Sequence, residues 1–169
     1  RLDGLPLTIE LAAARLKLLP PRDLVRRLEQ RLAVLTHGSR DLPERQQTLR
    51  ATIEWSYRLL DRDEQIWFER CSIFVGGWTL AAVEALDERL RWRDPTGAGG
   101  PALLDLLAAL VDKSLVQVQT SDEGEMRFSL LETLREFAAE QLQARGAVDQ
   151  VAAAHADYYR TLVAPWDKK

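Results

Sequence analysis

The hydrophobic pattern changes period twice between Leu103 and Leu142. At the start of this stretch, apolar residues recur at helical spacing and predict a helix with one apolar face. The residues of that face are Leu103, Leu104, Leu107, Ala108 and Val111. The period then falls to two, which is typical of half-buried strands. Val116 and Val118 alternate with glutamines, and the run of Met126, Phe128 and Leu130 alternates with polar residues.

The residues between the two alternating runs predict the loop of a β-hairpin. Residues 120–125 are polar, and Gly124 can adopt a positive φ angle without steric cost. After the hairpin the helical period returns, and we expect one apolar seam across the second strand and the helix that follows. The residues of that seam are Phe128, Leu130, Leu131, Leu134 and Phe137. A helix, a hairpin and a second helix in this order indicate the second half of a winged helix.

The rest of the chain is predicted to be mostly helical. Its predicted helices cover residues 6–19, 22–35, 45–60, 64–74, 80–86 and 148–163, and residues 36–43 and 91–100 are predicted to be a linker and a loop. Pro6 begins the first helix, where a missing N–H has no partner to lose. Asp61 and Glu64 have the spacing of a capping box, and Thr79 is a predicted cap for the short helix after it.

These elements predict a mainly α fold in three parts. Residues 1–42 are a helical lid, and residues 43–146 are a winged-helix domain with one β-hairpin. Residues 147–169 are the first helix of a following helical-repeat region. The apolar positions of that last helix are Val151, Ala154, Tyr158 and Leu162.

Composition limits the class of protein. The chain has 169 residues, of which 46% are hydrophobic, so it is long enough to bury a core. Its longest uncharged apolar run is far shorter than the roughly 18 residues of a membrane span, and no signal peptide is visible at Arg1. The single cysteine, Cys71, excludes an intramolecular disulfide. We expect a cytoplasmic protein with no membrane partner.

No set of residues predicts catalysis. The glycines at 76–77 and 97–100 lack the lysine that a phosphate-binding loop requires. Two histidines and one cysteine do not have the spacing of zinc ligands. Cys71 is predicted to pack in the core, and His155 with Asp157 is predicted to lie on a helix surface. We therefore expect no enzyme activity, no metal and no cofactor in this segment.

The charges argue against DNA binding by the predicted winged helix. Residues 99–130 hold two bases, Lys113 and Arg127. The acids of the same stretch are Asp105, Asp112, Asp122, Glu123 and Glu125, which gives a net charge of −3. A protein that binds a DNA duplex places several Lys or Arg residues along the phosphates, because counterion release dominates the affinity. We expect this module to contact protein or nucleotide instead.

Several motifs, in order along the chain, resemble a known family. Residues 4–7 (GLPL) precede an alanine- and leucine-rich helix, and the motif residues 42–57, 74–79, 110–116 and 128–138 follow. This set resembles the bacterial branch of the STAND signal-transduction ATPases with an NB-ARC core. That branch includes transcriptional regulators of the LuxR and antibiotic-regulatory types. The resemblance covers nearly the whole chain.

The resemblance implies roles for three residues. Pro6 would contact the adenine of a nucleotide held by an NTPase domain outside this chain, with ATP or ADP and magnesium as the cofactors of the parent protein. Leu131 and Glu132 fall on the family's MHD motif, which touches the nucleotide in the resting state. Leu131 occupies the histidine position of that motif and cannot donate a hydrogen bond, so direct phosphate sensing is not implied. Core packing is the alternative role of Leu130 and Leu131.

We predict the first of the following three functions, and the other two are the alternatives. The first is a regulatory module that controls nucleotide-dependent switching through intramolecular contact with the NTPase domain and with downstream helical repeats. The second is an autonomous winged-helix DNA-binding domain. The third is a passive scaffold that links an effector, such as a nucleotide cyclase, to a sensor.

Overall fold

The computed structural model describes residues 6–17, 20–26, 44–90, 102–120 and 124–164. Its helices are α1 (Pro6–Ala14), α2 (residues 21–26), α3 (Glu44–Arg58), α4 (Arg62–Cys71), α5 (Leu80–Leu90), α6 (Leu103–Asp112), α7 (Glu132–Ala144) and α8 (Val148–Val163). A 3₁₀ turn, Arg15–Lys17, follows α1. The strands are β1 (Trp78–Thr79), β2 (Gln117–Thr120) and β3 (Met126–Ser129). The predicted mainly α class is confirmed.

Helix α4 lies at the centre of the fold. Six of its ten residues are buried, including Trp67 and Phe68. The predicted capping box is present, because Asp61 accepts a hydrogen bond from the Glu64 amide and Glu64 accepts one from the Asp61 amide. The helix begins at Arg62 and ends at Cys71, two residues earlier and three residues earlier than predicted. Both α6 and α7 pack against it.

The sheet has a third strand that the hydrophobic pattern did not predict. Its order is β1-β3-β2, and both pairings are antiparallel. Strand β1 contains two residues, which is too short to show an alternating pattern. Gly77 makes this pairing possible: its φ is +101°, and a Cβ atom there would lie 2.6 Å from the Phe128 carbonyl oxygen. Thr79 also caps α5, as predicted, by accepting from the Ala82 amide.

The predicted hairpin is confirmed, and its apolar seam is largely buried. Phe128, Leu134 and Phe137 belong to the main core, and Leu130 and Leu131 are partly buried against it. Gly124 has a φ of +81°, as the hairpin loop requires. Residues 121–123 of that loop lie outside the described residues.

Other helices also differ from the predicted bounds: the predicted helix 6–19 is α-helical only to Ala14. Helix α5 continues to Leu90, four residues beyond the predicted end. It packs against α8, and Arg89 near its end pairs with Asp157 of α8. The local hydrophobic pattern ends at Leu86, and these tertiary contacts stabilise the four helical residues beyond it. The predicted helix 22–35 is described only through residue 26, and the predicted linker 36–43 and loop 91–100 lie outside the described residues.

Helix α3 contacts one helix that precedes it in the chain and one that follows it. Helix α1 packs on it, and α3 also contacts α7. Arg15, which is buried, donates to the Ser56 carbonyl oxygen at 3.1 Å. Arg50 pairs with Glu140 of α7. The boundary predicted at residue 43 stays a prediction, since α3 is bound to elements on both sides.

The last helix has the predicted bounds, Val148–Val163. Of its predicted apolar positions, Val151 and Ala154 are buried, Tyr158 is partly buried and Leu162 is exposed. None of the described helices is long and apolar enough to cross a bilayer.

Candidate functional site

Helix α6 turns a different face to the core from the predicted one. Its buried residues are Leu103, Leu106, Leu107 and Leu110. Leu104 and Ala108, both predicted to be buried, are exposed, and Leu104 has 55% of its surface accessible. Because eight of the ten α6 residues are apolar, spacing alone does not determine which face packs inward. The prediction for Leu104 and Ala108 was wrong.

The outer face of α6 is therefore apolar and acidic. It consists of Leu104, Asp105, Ala108 and Asp112, all of them exposed. Three of these residues, Leu104, Ala108 and Asp112, are spaced by four, so they form one stripe along the helix. This stripe includes the carboxylate of Asp112, has that of Asp105 beside it, and carries no base.

Helix α5 adds carboxylates beside the first turn of α6. Glu84 and Glu88 line a depression that Leu103 and Leu104 of α6 also line. Both glutamates are exposed and lie one turn apart on α5. We call this depression, together with the outer face of α6, the α5–α6 groove.

The described bases of α5 and of the end of α6 pair with carboxylates of other helices. Lys113, at the end of α6, pairs with the buried Glu64 of α4. Arg89, the basic residue of α5, donates to the Asp157 carboxylate at 2.9 Å and to the Ala85 carbonyl oxygen. Among the described residues that line the groove, the exposed charged side chains are carboxylates.

The hairpin tip carries exposed apolar residues. Val118 pairs with Phe128, and Thr120 pairs with Met126, so these four side chains lie on one side of the hairpin. Phe128 is buried, whereas Val118 and Met126 are 36% and 52% exposed. Arg127 pairs with Gln119, and its side chain therefore lies on the opposite side.

A buried polar network holds α3, α4 and the end of α7 together. Glu69 of α4 is 1% exposed and accepts hydrogen bonds from Arg145 at 2.5 and 2.6 Å. Tyr57 of α3 donates to the same carboxylate at 2.5 Å. Burial, and then this hydrogen bond, raise the pKa of Tyr57 to about 12. The hydrogen bonds to Glu69 also raise the pKa of Arg145 above its usual range. The hydrophobic pattern does not predict this network, because charged residues are rarely fully buried.

The comparison with protein families covers this part of the molecule. A model described as a winged helix-turn-helix domain matches residues 60–143. That range contains α4 to α6, the three strands and nearly all of α7. Residues 60–143 are a winged helix-turn-helix domain. By their order in the chain, α5 and α6 are the helix-turn-helix pair of this domain, and the β2–β3 hairpin is its wing.

Relatives in mycobacteria match almost the whole chain. A protein of Mycobacterium tuberculosis and one of Mycobacterium bovis, both bearing the provisional name HTH-type transcriptional regulator, are 45% identical over 97% of the chain. A further uncharacterized protein of Mycobacterium tuberculosis is 36% identical over 90% of the chain. The chain spans 18% of the length of the first two relatives and 37% of the third.

The three residues with predicted nucleotide roles lie on two elements. Pro6 is the first residue of α1, as predicted. Leu131 is the N-cap residue of α7 and is partly buried, and Glu132 is the exposed first residue of that helix. Helix α3 contacts both α1 and α7. The nucleotide roles of Pro6, Leu131 and Glu132 stay predictions.

Glu132 is bound to its own helix. Arg135 donates to it at 2.5 and 3.0 Å. These hydrogen bonds lower the pKa of the Glu132 carboxyl group. Glu132 is therefore ionised near neutral pH and exposed at the start of α7, where the helix dipole favours a negative charge.

The other candidates for chemistry have packing roles. Cys71 is buried in the core, as predicted, and burial raises its pKa to about 12. His155 lies against the rings of Phe74 and Tyr159, and burial lowers its pKa. Its predicted neighbour Asp157 instead accepts from Arg89 and Arg160. Within the described ranges, no three His, Cys, Asp or Glu side chains are grouped as metal ligands.

Proposed function

We propose that this chain is the regulatory winged-helix module of a bacterial transcriptional regulator of the NB-ARC or STAND ATPase type. In this proposal the module controls nucleotide-dependent switching by contact with the NTPase domain of the same protein. That domain holds ATP or ADP with magnesium, and helical repeats follow the module. Pro6 contacts the adenine, and Leu131 and Glu132 take part in the resting contact.

The observation that carries the proposal is the charge of the helix-turn-helix pair. In DNA-binding proteins of this class, the second helix enters the major groove and the first crosses the phosphate backbone. Here the exposed positions of these helices include Glu84, Glu88 and Asp105. Carboxylates at the phosphate track repel DNA, and neither Arg89 nor Lys113 compensates them, since both are paired within the fold.

Contact within one protein is also supported by the way the winged helix is bound to its neighbours. Arg145 and Tyr57 meet at Glu69, and Arg50 pairs with Glu140. The segment before the domain is therefore connected to α4 by a partly buried hydrogen bond and to α7 by an exposed ion pair. A movement of α3 would change these contacts, which is how a discrete two-state element transmits a signal.

An autonomous DNA-binding domain is the second candidate, and the names of the mycobacterial relatives favour it. Those names describe whole proteins, and the matching segment is 18% of each of the two that bear the name HTH-type transcriptional regulator. The passive scaffold is the third candidate, and the behaviour of Glu132 variants separates it from the switch.

The affinity of the isolated chain for DNA tests the first proposal against the second. We expect binding to random duplex no tighter than about 10⁻⁴ M at about 0.15 M salt, because the helix-turn-helix pair is acidic. Fluorescence anisotropy with labelled duplexes gives this affinity. The double variant Glu84→Lys/Glu88→Lys is expected to bind more tightly, with a slope of log K against log salt steeper by about 1.8.

The matched control is Glu136→Lys/Asp149→Lys, which makes the same charge change on α7 and α8 at exposed positions. We expect the salt slope of this control to change by less than half as much as that of Glu84→Lys/Glu88→Lys. Sub-micromolar, sequence-dependent binding by the unaltered chain would contradict the proposal and establish the DNA-binding candidate.

A further inference from the structure

The α5–α6 groove combines an exposed aliphatic residue with a surround of carboxylates. Leu104 is more than half exposed at the first turn of α6. Glu84 and Glu88 line the same depression, and Asp105 is the next residue of α6. A single exposed leucine is ordinary at a protein surface, so it is the carboxylates around Leu104 that favour a cationic partner here.

The carboxylates of the groove repel one another. Glu84 and Glu88 are one turn apart on α5, a spacing at which like charges destabilise a helix. Among the described residues of α5 and α6, the basic side chain is Arg89, and it contacts Asp157 of α8. A cationic partner that approached the groove would relieve this repulsion and would meet no competing base from these helices.

We propose that the α5–α6 groove binds a basic, amphipathic segment of a protein partner. The aliphatic residues of the segment contact Leu104 and Ala108, and its Arg or Lys side chains pair with Glu84, Glu88 and Asp105. This inference rests on the proposed function, because it identifies the surface and the chemistry of one protein contact that the module makes. Phosphate-bearing partners are repelled by the same carboxylates.

The groove offers both apolar surface and charge, which a specific protein contact combines. Leu104 and Ala108 supply apolar area, which gives affinity when it leaves water. The carboxylates supply charge, which guides the encounter and fixes the register of the partner. A free cation or a polyamine would use the charges alone and leave Leu104 exposed.

A designed peptide tests the inference. The probe is a labelled 14-residue helical peptide with leucine on one face and arginine on the other, measured by anisotropy against the full chain. We expect saturable binding that weakens as salt is raised. The reference peptide has glutamate in place of every arginine, and we expect it not to bind.

Variants of the groove locate the binding. Glu84→Gln/Glu88→Gln is expected to weaken binding about tenfold, at about threefold for each exposed ion pair. Leu104→Ala is expected to weaken it by about the same factor, since a half-buried leucine contact is lost. The controls are Glu136→Gln/Asp149→Gln and Leu162→Ala, which alter exposed positions of α7 and α8. We expect these controls to bind as the unaltered chain does.

The outcomes separate this inference from the proposed function. If the arginine peptide fails to bind, or binds the groove variants as tightly as the unaltered chain, the groove is not its site and the inference is wrong. In either case weak DNA affinity would leave the proposed function standing. If the unaltered chain binds specific DNA through the groove, both are wrong. Loss of binding in the groove variants alone supports the inference.

Discussion

Helices α4 and α6 have the same length and opposite relations between sequence and burial. Helix α4 contains six charged or amide side chains among its ten residues, yet six of its residues are buried. Helix α6 contains eight apolar residues and two aspartates, yet it leaves Leu104 and Ala108 exposed. The more polar helix is the centre of the fold, and the more apolar one forms a surface.

The difference has a physical cause in the partners of each helix. Two carboxylates of α4 are buried, and each has a cationic partner: Glu64 has Lys113, and Glu69 has Arg145. A buried charge is tolerated when it is paired and hydrogen-bonded. Helix α6 packs one row of leucines on α4, and nothing in the described chain covers its other side fully. The contrast indicates that α4 is surrounded by other elements, whereas α6 contributes one face to the core and leaves the other exposed.

The largest loss of stability is expected when a core side chain of α4 is truncated. Trp67 has no exposed surface, and Trp67→Ala removes a large core side chain and leaves a cavity. We expect the free energy of unfolding to fall by about 3–5 kcal/mol. Urea denaturation followed by circular dichroism measures it. A loss below 1 kcal/mol would show that α4 is not the centre of the core.

The second prediction compares two leucines on one helix. Leu107 is 1% exposed and Leu104 is 55% exposed. We expect Leu107→Ala to cost about 2–5 kcal/mol, because it leaves a cavity against α4. Leu104→Ala is expected to change stability by no more than about 0.5 kcal/mol, as at other surface positions. Equal losses for the two variants, measured by the same denaturation, would mean that α6 has no outer face.

These two positions also show how far the sequence determines the site. Helical spacing predicts α6 and its ends nearly correctly, and the wing follows from the alternation of residues 116–130. Spacing cannot choose between Leu104 and Leu106 as the buried residue, since apolar side chains surround most of the helix. That choice depends on α4, which is distant in sequence.

The burial of these charges could not be predicted from the sequence, for a similar reason. Glu69 resembles a surface residue of an amphipathic helix until Tyr57 and Arg145, 12 and 76 residues away, are brought to it. The two-residue strand β1 likewise exists because Phe128 pairs with Trp78. By contrast, the capping box at Asp61 and the turn at Gly124 were predictable, because their causes are local.

The third prediction concerns the ion pair between Arg145 and Glu69, which permits the Glu69 carboxylate to be buried. Arg145→Ala leaves this carboxylate with Tyr57 as its remaining described donor. We expect a loss of about 1–3 kcal/mol, below the full cost of an unpaired buried charge, since Arg145 is 37% exposed and water can partly replace it.

The matched control for this variant is Arg160→Ala. Arg160 also pairs with a carboxylate, that of Asp157, but both side chains are exposed or half-exposed. We expect a change within about 0.5 kcal/mol for the control. Thermal denaturation of both variants distinguishes them. If the two losses were equal, the Glu69 network would be no more important than a surface ion pair.

The smallest effect on stability is expected at Glu132, and it is the position that separates a switch from a scaffold. Its side chain is exposed and contacts Arg135 of the same helix. Loss of this contact leaves the core unchanged, so Glu132→Ala in the isolated chain should keep its melting temperature within a few degrees. Glu136→Ala, one turn later at another exposed position of α7, is the control.

In the intact regulator the two variants should differ. If Glu132 stabilises the resting contact with the NTPase domain, Glu132→Ala shifts the protein toward its active, ATP-bound form, and Glu136→Ala does not. Nucleotide content of the purified proteins and basal transcriptional output measure this shift. A Glu132→Ala regulator with unaltered ADP occupancy and output would remove the switch role from this position, and the passive scaffold would then be the better account of the module.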